Sequence, residues 1–226
     1  MNPVLKRVLT GLAIGGAVIA TVLLAPHWVI MGIVSFLIVL AFAEYLCLLR
    51  LKLGDRLNAA SWLWLWFLGM VVIWAGLWAL PEIARRHGNV LLLFVVAIVK
   101  FSDVGGFAFG LTSAKLMKGG NHKMCPTVSP NKSWEGMFGS VLFSCVVALS
   151  FTGVTHFAWW QSLACGVTGA VVGTAGDLVE SKFKRWVGVK DSSTMKITNG
   201  LGGVLDMLDS LLFAPAALMA LIGRFS

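Results

Sequence analysis

Charge is what this chain has least of. Only 12% of its 226 residues are Asp, Glu, Lys or Arg, while 58% are hydrophobic; soluble domains carry roughly 25% charged residues. With a mean hydropathy of +0.87, an ordinary soluble domain is excluded. Carboxylates number ten, few enough that each needs a reason. One Tyr stands beside ten Trp, a bias that suits anchoring at lipid interfaces. Cys47, Cys125, Cys145 and Cys165 have no C-x-x-C spacing. They read as small buried hydrophobes, not as zinc ligands or disulfide partners. No internal repeat, low-complexity tract or separate soluble domain is visible, so residues 1–226 form a single membrane domain. The missing repeat also weighs against a transporter.

What is present is a series of apolar runs of membrane-spanning length, about 20 residues each. Seven candidate spans cover residues 8–25, 28–49, 60–80, 89–112, 136–154, 158–178 and 204–223. The expected fold is therefore an all-α integral membrane protein, a polytopic bundle of about seven transmembrane helices. The first run follows Lys6 and Arg7 without a small-residue cleavage site and reads as a retained span. The net charge of +8 does not point to nucleic acid, because the basic residues lie in short loops between apolar segments. With the N-terminus in the cytoplasm, only Arg85, Arg86 and Arg224 fall outside, and Lys100 lies within a span. This positive-inside pattern predicts a cytoplasmic-membrane protein. It puts the two richest polar loops, 113–135 and 179–203, on the same cytoplasmic face, where they can share a site.

Asp103, Asp177, Asp206 and Asp209 lie at or near the cytoplasmic ends of spans four, six and seven. An i,i+3 pair faces one direction on a helix, so Asp206 and Asp209 are expected to project together. Intramembrane carboxylates that converge repel one another unless they share a cation. Oxygen-only ligands favour a hard ion such as Mg²⁺, with a second cation left open. Lys132, Lys182, Lys184, Arg185 and Lys190 supply counter-charges for phosphate oxygens. Gly105, Gly106, Gly202 and Gly203 allow close backbone approach, and the second pair stands just before a helix N-terminus suited to an anion. Lys100, three residues before Asp103, reads as its partner in a buried ion pair. Glu44, about two turns from the cytoplasmic end of the second span, is open between a functional role and simple pairing. His122 reads as solvated. These features suit metal-assisted phosphoryl or nucleotidyl transfer. A cation-coupled pathway and plain interfacial charges remain as alternatives.

The stretches "SDVGGFAFG", "SPNKSWEG" and "GDLVESKFKRWVGVKDSSTMKITNGLGGVLDMLDS" resemble, in that order, the motifs of the phosphatidate cytidylyltransferases, or CDP-diacylglycerol synthases. The likeness covers residues 99–215, and the N-terminal spans, 1–98, match only in hydrophobicity. It implies transfer of CMP from CTP to phosphatidic acid in the membrane, with release of pyrophosphate, and it implies a homodimer. It carries metal binding onto Asp177, Asp206 and Asp209. Ser129, Lys132, Trp134, Glu135, Lys184, Arg185, Lys190 and Asp191 become substrate-site residues, with Asp103 beside them. Two departures stand out. The chain is two residues longer between Lys190–Asp191 and Asp206, which puts Leu201 where the family has His. Met207 stands where it has Arg, and Lys196 is the nearest basic residue. A CTP-dependent lipid kinase and an inactive paralogue are the remaining readings of such a divergent member.

Overall fold

A computed structural model describes residues 15–54, 58–117, 119–189 and 203–225. Its elements in chain order are α1 (Gly15–Leu24), α2 (His27–Leu53), α3 (Ala59–His87), α4 (Asn89–Leu116), strands β1 (Lys123–Cys125) and β2 (Ser129–Ser133), α5 (Trp134–Ser150), α6 (Thr152–Thr155), α7 (Trp159–Val187), α8 (Val204–Leu208), a 3₁₀ turn (Ser210–Leu212) and α9 (Ala214–Ile222). The chain is an all-α membrane protein. By length and composition α2, α3, α4 and α7 can each cross a bilayer. At 27 to 29 residues and 1.5 Å per residue they run about 40–44 Å, more than the roughly 30 Å of hydrocarbon.

Capping sets several boundaries. Asn58 accepts a hydrogen bond from the Ser61 amide at 2.9 Å and starts α3. The Ser133 hydroxyl accepts from the Gly136 amide at 3.1 Å and starts α5. Helix α7 ends at Gly188, whose φ of 95° suits glycine and whose amide reaches back to the Lys184 and Arg185 carbonyls.

Helix α4 forms the centre, with Phe94, Val95, Ile98 and Val99 fully buried against neighbouring helices. It packs most extensively on α5, and glycine explains why. A Cβ at Gly105 would run into the Gly139 carbonyl oxygen, and a Cβ at Gly139 into that of Gly105. Such small-residue contacts bring membrane helices together without a hydrophobic drive. The close backbone approach expected at Gly105 and Gly106 is made by α5.

Two further expectations change. The segment 179–203 is not all loop, because α7 continues unbroken to Val187. Asp177, Glu180, Lys184 and Arg185 are thereby presented on one helix. And the seventh span is not a single helix. Helix α8 ends at Leu208, the 3₁₀ turn follows, and α9 begins afresh at Ala214 with Pro215 in its first turn. Pro there lacks only an amide hydrogen that has no helical partner anyway. The broken segment 203–213 packs against α2, α3 and α7, where Gly76 leaves room for the Leu212 carbonyl and Gly176 for Asp209 and Phe213.

Candidate active site

The break sends the two C-terminal aspartates to different partners. Asp209, at the end of α8, accepts a 2.6 Å hydrogen bond from the Ser210 amide. Its carboxylate lies against that of Asp177 and within the field of Asp103. Asp103 in turn feels Asp177 and Lys100 and accepts a 3.0 Å hydrogen bond from the buried Ser210 hydroxyl. Lys132 from β2 pairs with Asp177 Oδ2. Lys100 Nζ donates to Asp103 Oδ2 at 3.4 Å, to the Ser210 hydroxyl at 3.3 Å and to the Met207 carbonyl at 3.3 Å. The ion pair expected for Lys100 is present, though partly exposed and not buried as expected, and Lys100 also ties α4 to the broken segment. Three carboxylates from three elements therefore meet beside two ammonium groups. Asp177 lies ten residues before the end of α7, about 15 Å along the helix.

Among the described residues no group of three or more His, Cys, Asp and Glu side chains stands ready-made around a metal position. The donor set nonetheless suits a hard divalent ion. Asp177 Oδ1 is buried with no hydrogen-bond partner among the described residues, and its carboxylate faces that of Asp209. Buried, mutually repelling oxygens are what such an ion relieves.

Asp206 joins a second group, separate from the one predicted for it. Lys184 pairs with its Oδ1 and also sits 2.6 Å from Glu180 Oε2. The Glu180 contact is an ion pair without hydrogen-bond alignment, since neither Glu180 oxygen has a properly directed donor among the described residues. The Gly203 amide donates to Asp206 Oδ2 at 3.4 Å. Glu180 also lines an apolar cavity of about 300 Å³ between α2, α3, α7 and the broken segment, with Tyr45, Leu68, Val179, Phe183 and Phe213 among its walls. One member of the charged trio, Glu180, thus lines a space suited to hydrocarbon.

The polar loop before α5 folds as a two-stranded antiparallel hairpin, pairing Lys123 with Ser133 and Cys125 with Ser129. Arg185 Nε donates to the Val128 carbonyl at 3.3 Å, so the hairpin docks on α7 and delivers Lys132 to Asp177. The hairpin and the end of α7, parts of the two segments expected to share a face, are in contact. Glu135 is turned away from the aspartates: it accepts from the His122 amide at 3.2 and 3.1 Å and lies 2.6 Å from His122 Nδ1. That contact with His122 holds the Glu135 carboxyl down at about 2. His122 is exposed but paired, and Trp134 is exposed. Ser129 lies in β2 at intermediate exposure. Lys190, Asp191, Lys196, Leu201 and Gly202 lie outside the described residues.

The sequence model of the cytidylyltransferase family matches residues 67–225. The chain belongs to the cytidylyltransferase family. Its relatives include proteins named phosphatidate cytidylyltransferase. The one from Staphylococcus epidermidis is 42% identical over 131 residues, 57% of this chain and 47% of the relative. Those from Staphylococcus saprophyticus and Staphylococcus aureus are 40% identical over the same shares. The chain spans about half the length of the curated relatives it matches. The family match embraces both charged groups of this cytidylyltransferase-family chain, from Lys100 to Ser210.

Ser210 and Glu180 were absent from the sequence-based site. Ser210 follows Asp209 directly and was readable as part of the "DMLDS" stretch. Glu180 carried a signal too, as a carboxylate one helical turn from Lys184. Only the three-dimensional structure shows that it shares its lysine with Asp206.

Proposed function

We propose that this protein transfers CMP from CTP to phosphatidic acid, giving CDP-diacylglycerol and pyrophosphate. The observation that carries the reading is the meeting of Asp103, Asp177 and Asp209 with Lys100 and Lys132; an apolar cavity on the same helix α7 is lined by Glu180, the ion-pair partner of Lys184. An oxygen of the lipid phosphate attacks the α-phosphorus of CTP, and the bond to the β-phosphate oxygen breaks as pyrophosphate leaves. Nucleophile and leaving group are both phosphates, so the protein has little proton transfer to perform and acts by positioning and electrostatics.

Asp177 and Asp209 are the residues that would hold Mg²⁺, with Asp103 next to them. Bound there, the ion would neutralise charge on the attacking and leaving oxygens. Lys132, mounted on the docked hairpin, can turn from Asp177 to a nucleotide phosphate. Lys184 and Arg185 present cations at the end of α7, where a lipid headgroup meets an aqueous nucleotide. The apolar cavity accepts acyl chain while Lys184 stays near the phosphate. Lys190, Asp191, Gly202 and Gly203 are assigned to the same substrate site. The distribution of basic residues supports a cytoplasmic membrane location with this face inward.

The test is direct. Purified protein in mixed micelles receives labelled CTP, Mg²⁺ and phosphatidic acid, and CDP-lipid with pyrophosphate is expected. Release of CDP with a newly phosphorylated lipid identifies a kinase instead. No turnover with any lipid phosphate, where a control enzyme works, sinks the transferase reading.

A further inference from the structure

Glu44 lies far from the charged groups in sequence and outside the family match, which begins at residue 67. It sits on α2 and is 1% exposed. A carboxylate so fully buried is costly unless it is bound to something. Its Oε2 accepts a 2.8 Å hydrogen bond from the Leu205 amide. Leu205 is in the first turn of α8 and directly precedes Asp206.

We infer that Glu44 is a positioning residue for the proposed reaction: from the N-terminal spans it fixes the start of α8 and so places Asp206 and Asp209. The first amides of any helix lack acceptors within the helix. A helix of five residues keeps almost no internal bonding of its own, so an acceptor from outside decides its position. A carboxylate is a strong one, since charge-assisted hydrogen bonds are shorter and stronger than neutral ones. On its other side the broken segment is held by Lys100 at the Met207 carbonyl. Glu44 and Lys100 thus grip the α8 backbone from α2 and α4, ahead of Asp209. In this arrangement Glu44 acts on the site through the Leu205 backbone and not on a reacting atom.

The inference rests on the proposed transferase reading for its kinetic arm, while hydrogen exchange tests it without substrate. Three full-length proteins are compared: wild type, Glu44→Gln, which keeps an acceptor oxygen, and Glu44→Leu, which keeps the bulk and removes the acceptor. In E44L the amides of residues 203–208 should exchange at least about ten-fold faster, whereas E44Q should match wild type. kcat in E44L should fall about 10- to 100-fold, the range for a reacting group moved by up to 1 Å, with KM for CTP changed less than about three-fold. E44Q should keep at least a tenth of wild-type kcat. Unaltered exchange in E44L together with wild-type kcat would overturn the assignment. If E44L does not fold, E44Q decides: kcat at or above a tenth of wild type supports positioning, and anything lower overturns it. If wild type shows no transfer at all, the functional reading fails and the exchange comparison alone decides the role of Glu44.

Discussion

Gly176 offers a sharp test of the idea that the broken segment must sit where it does. A Cβ at this position of α7 would lie 2.9 Å from the Asp209 carbonyl oxygen and 2.8 Å from Phe213 Cδ2. Ordinary contact begins near 3.4 Å, so Gly176→Ala demands a retreat of about 0.5 Å, a typical small overpacking. The Phe213 ring can turn aside, but the Asp209 oxygen is backbone, and moving it moves the carboxylate. Two effects oppose each other in stability. Alanine gains roughly 1 kcal/mol of helix propensity over glycine, while overpacking costs about 1–3 kcal/mol. The net is destabilisation by about 0–2 kcal/mol, and the protein should still fold. Catalysis should suffer more. With about a hundred-fold loss per ångström of misplacement, half an ångström predicts roughly a ten-fold fall in kcat. Gly173, one turn earlier, is the internal control, because its Cβ would meet Ser210 at 3.7 Å and Val99 at 4.0 Å, ordinary contacts. Gly173→Ala should raise thermal stability by up to about 1 kcal/mol with activity kept. The assay is CDP-lipid formation beside a detergent melting curve for both variants. Equal activity in G176A and G173A would refute the proposed tightness of this contact.

The split between the aspartates predicts separable phenotypes. Asp209→Asn should abolish transfer at any Mg²⁺ concentration, whereas Asp206→Asn should leave the Mg²⁺ dependence near wild type and raise KM, since it disturbs Lys184; titrating Mg²⁺ against rate distinguishes them. Ser210→Ala removes the hydroxyl that joins Asp103 to Lys100; about 0.5–1.5 kcal/mol is expected for losing such a partly exposed hydrogen-bonded link, read as lower stability and reduced kcat. The hairpin should respond to acid through Glu135. Its folded-state carboxyl is held at about 2 against an ordinary 4.5, so its contribution is complete above 4.5, declines below it and is lost as pH falls through about 2. Proteolysis of the 121–135 hairpin between pH 7 and 3 should accelerate at the acid end in wild type, and Glu135→Gln should cleave faster already at pH 7. An E135Q hairpin as resistant as wild type at pH 7 would contradict this.

Much of this arrangement is legible in the chain itself. Hydropathy finds α2, α3, α4 and α7, because a long apolar helix needs no partner to declare itself. The pairing of Lys100 with Asp103 follows from helical spacing, and the shared face of the two polar loops follows from the basic residues. The break in the last span does not emerge from hydropathy, which averages over a window longer than α8. Asp206 and Asp209 satisfy i,i+3 spacing, yet that rule presumes a helix that continues beyond both, and α8 stops at Leu208. Pro215 is the signal that was there to be read, since a proline favours the first turn of a new helix. The role of Gly105 was hidden for a different reason. A glycine that admits a phosphate and a glycine that admits a neighbouring helix look alike until the neighbour is placed.

The charges around the break also resolve a problem that comes before catalysis. Irregular backbone packed among helices needs partners for the polar groups that no regular helix satisfies. Here the partners are charged side chains. Glu44 takes the Leu205 amide, Lys100 takes the Met207 carbonyl, and Asp209 takes the Ser210 amide. In the proposed site Asp209 also holds Mg²⁺, and Lys100 neutralises its carboxylate neighbour. Met207, which takes the position of the family arginine in the resemblance, brings no charge of its own, yet its carbonyl carries a lysine ammonium from α4. A cation therefore reaches that turn by a route through space that the local motif does not contain. Lys100→Met tests this role, because it removes charge while keeping a flexible side chain of similar length. Loss of transfer with the fold intact, restored in part by Lys100→Arg, is the expected result. A fully active K100M would mean that the charge on this turn serves neither the backbone nor the phosphates.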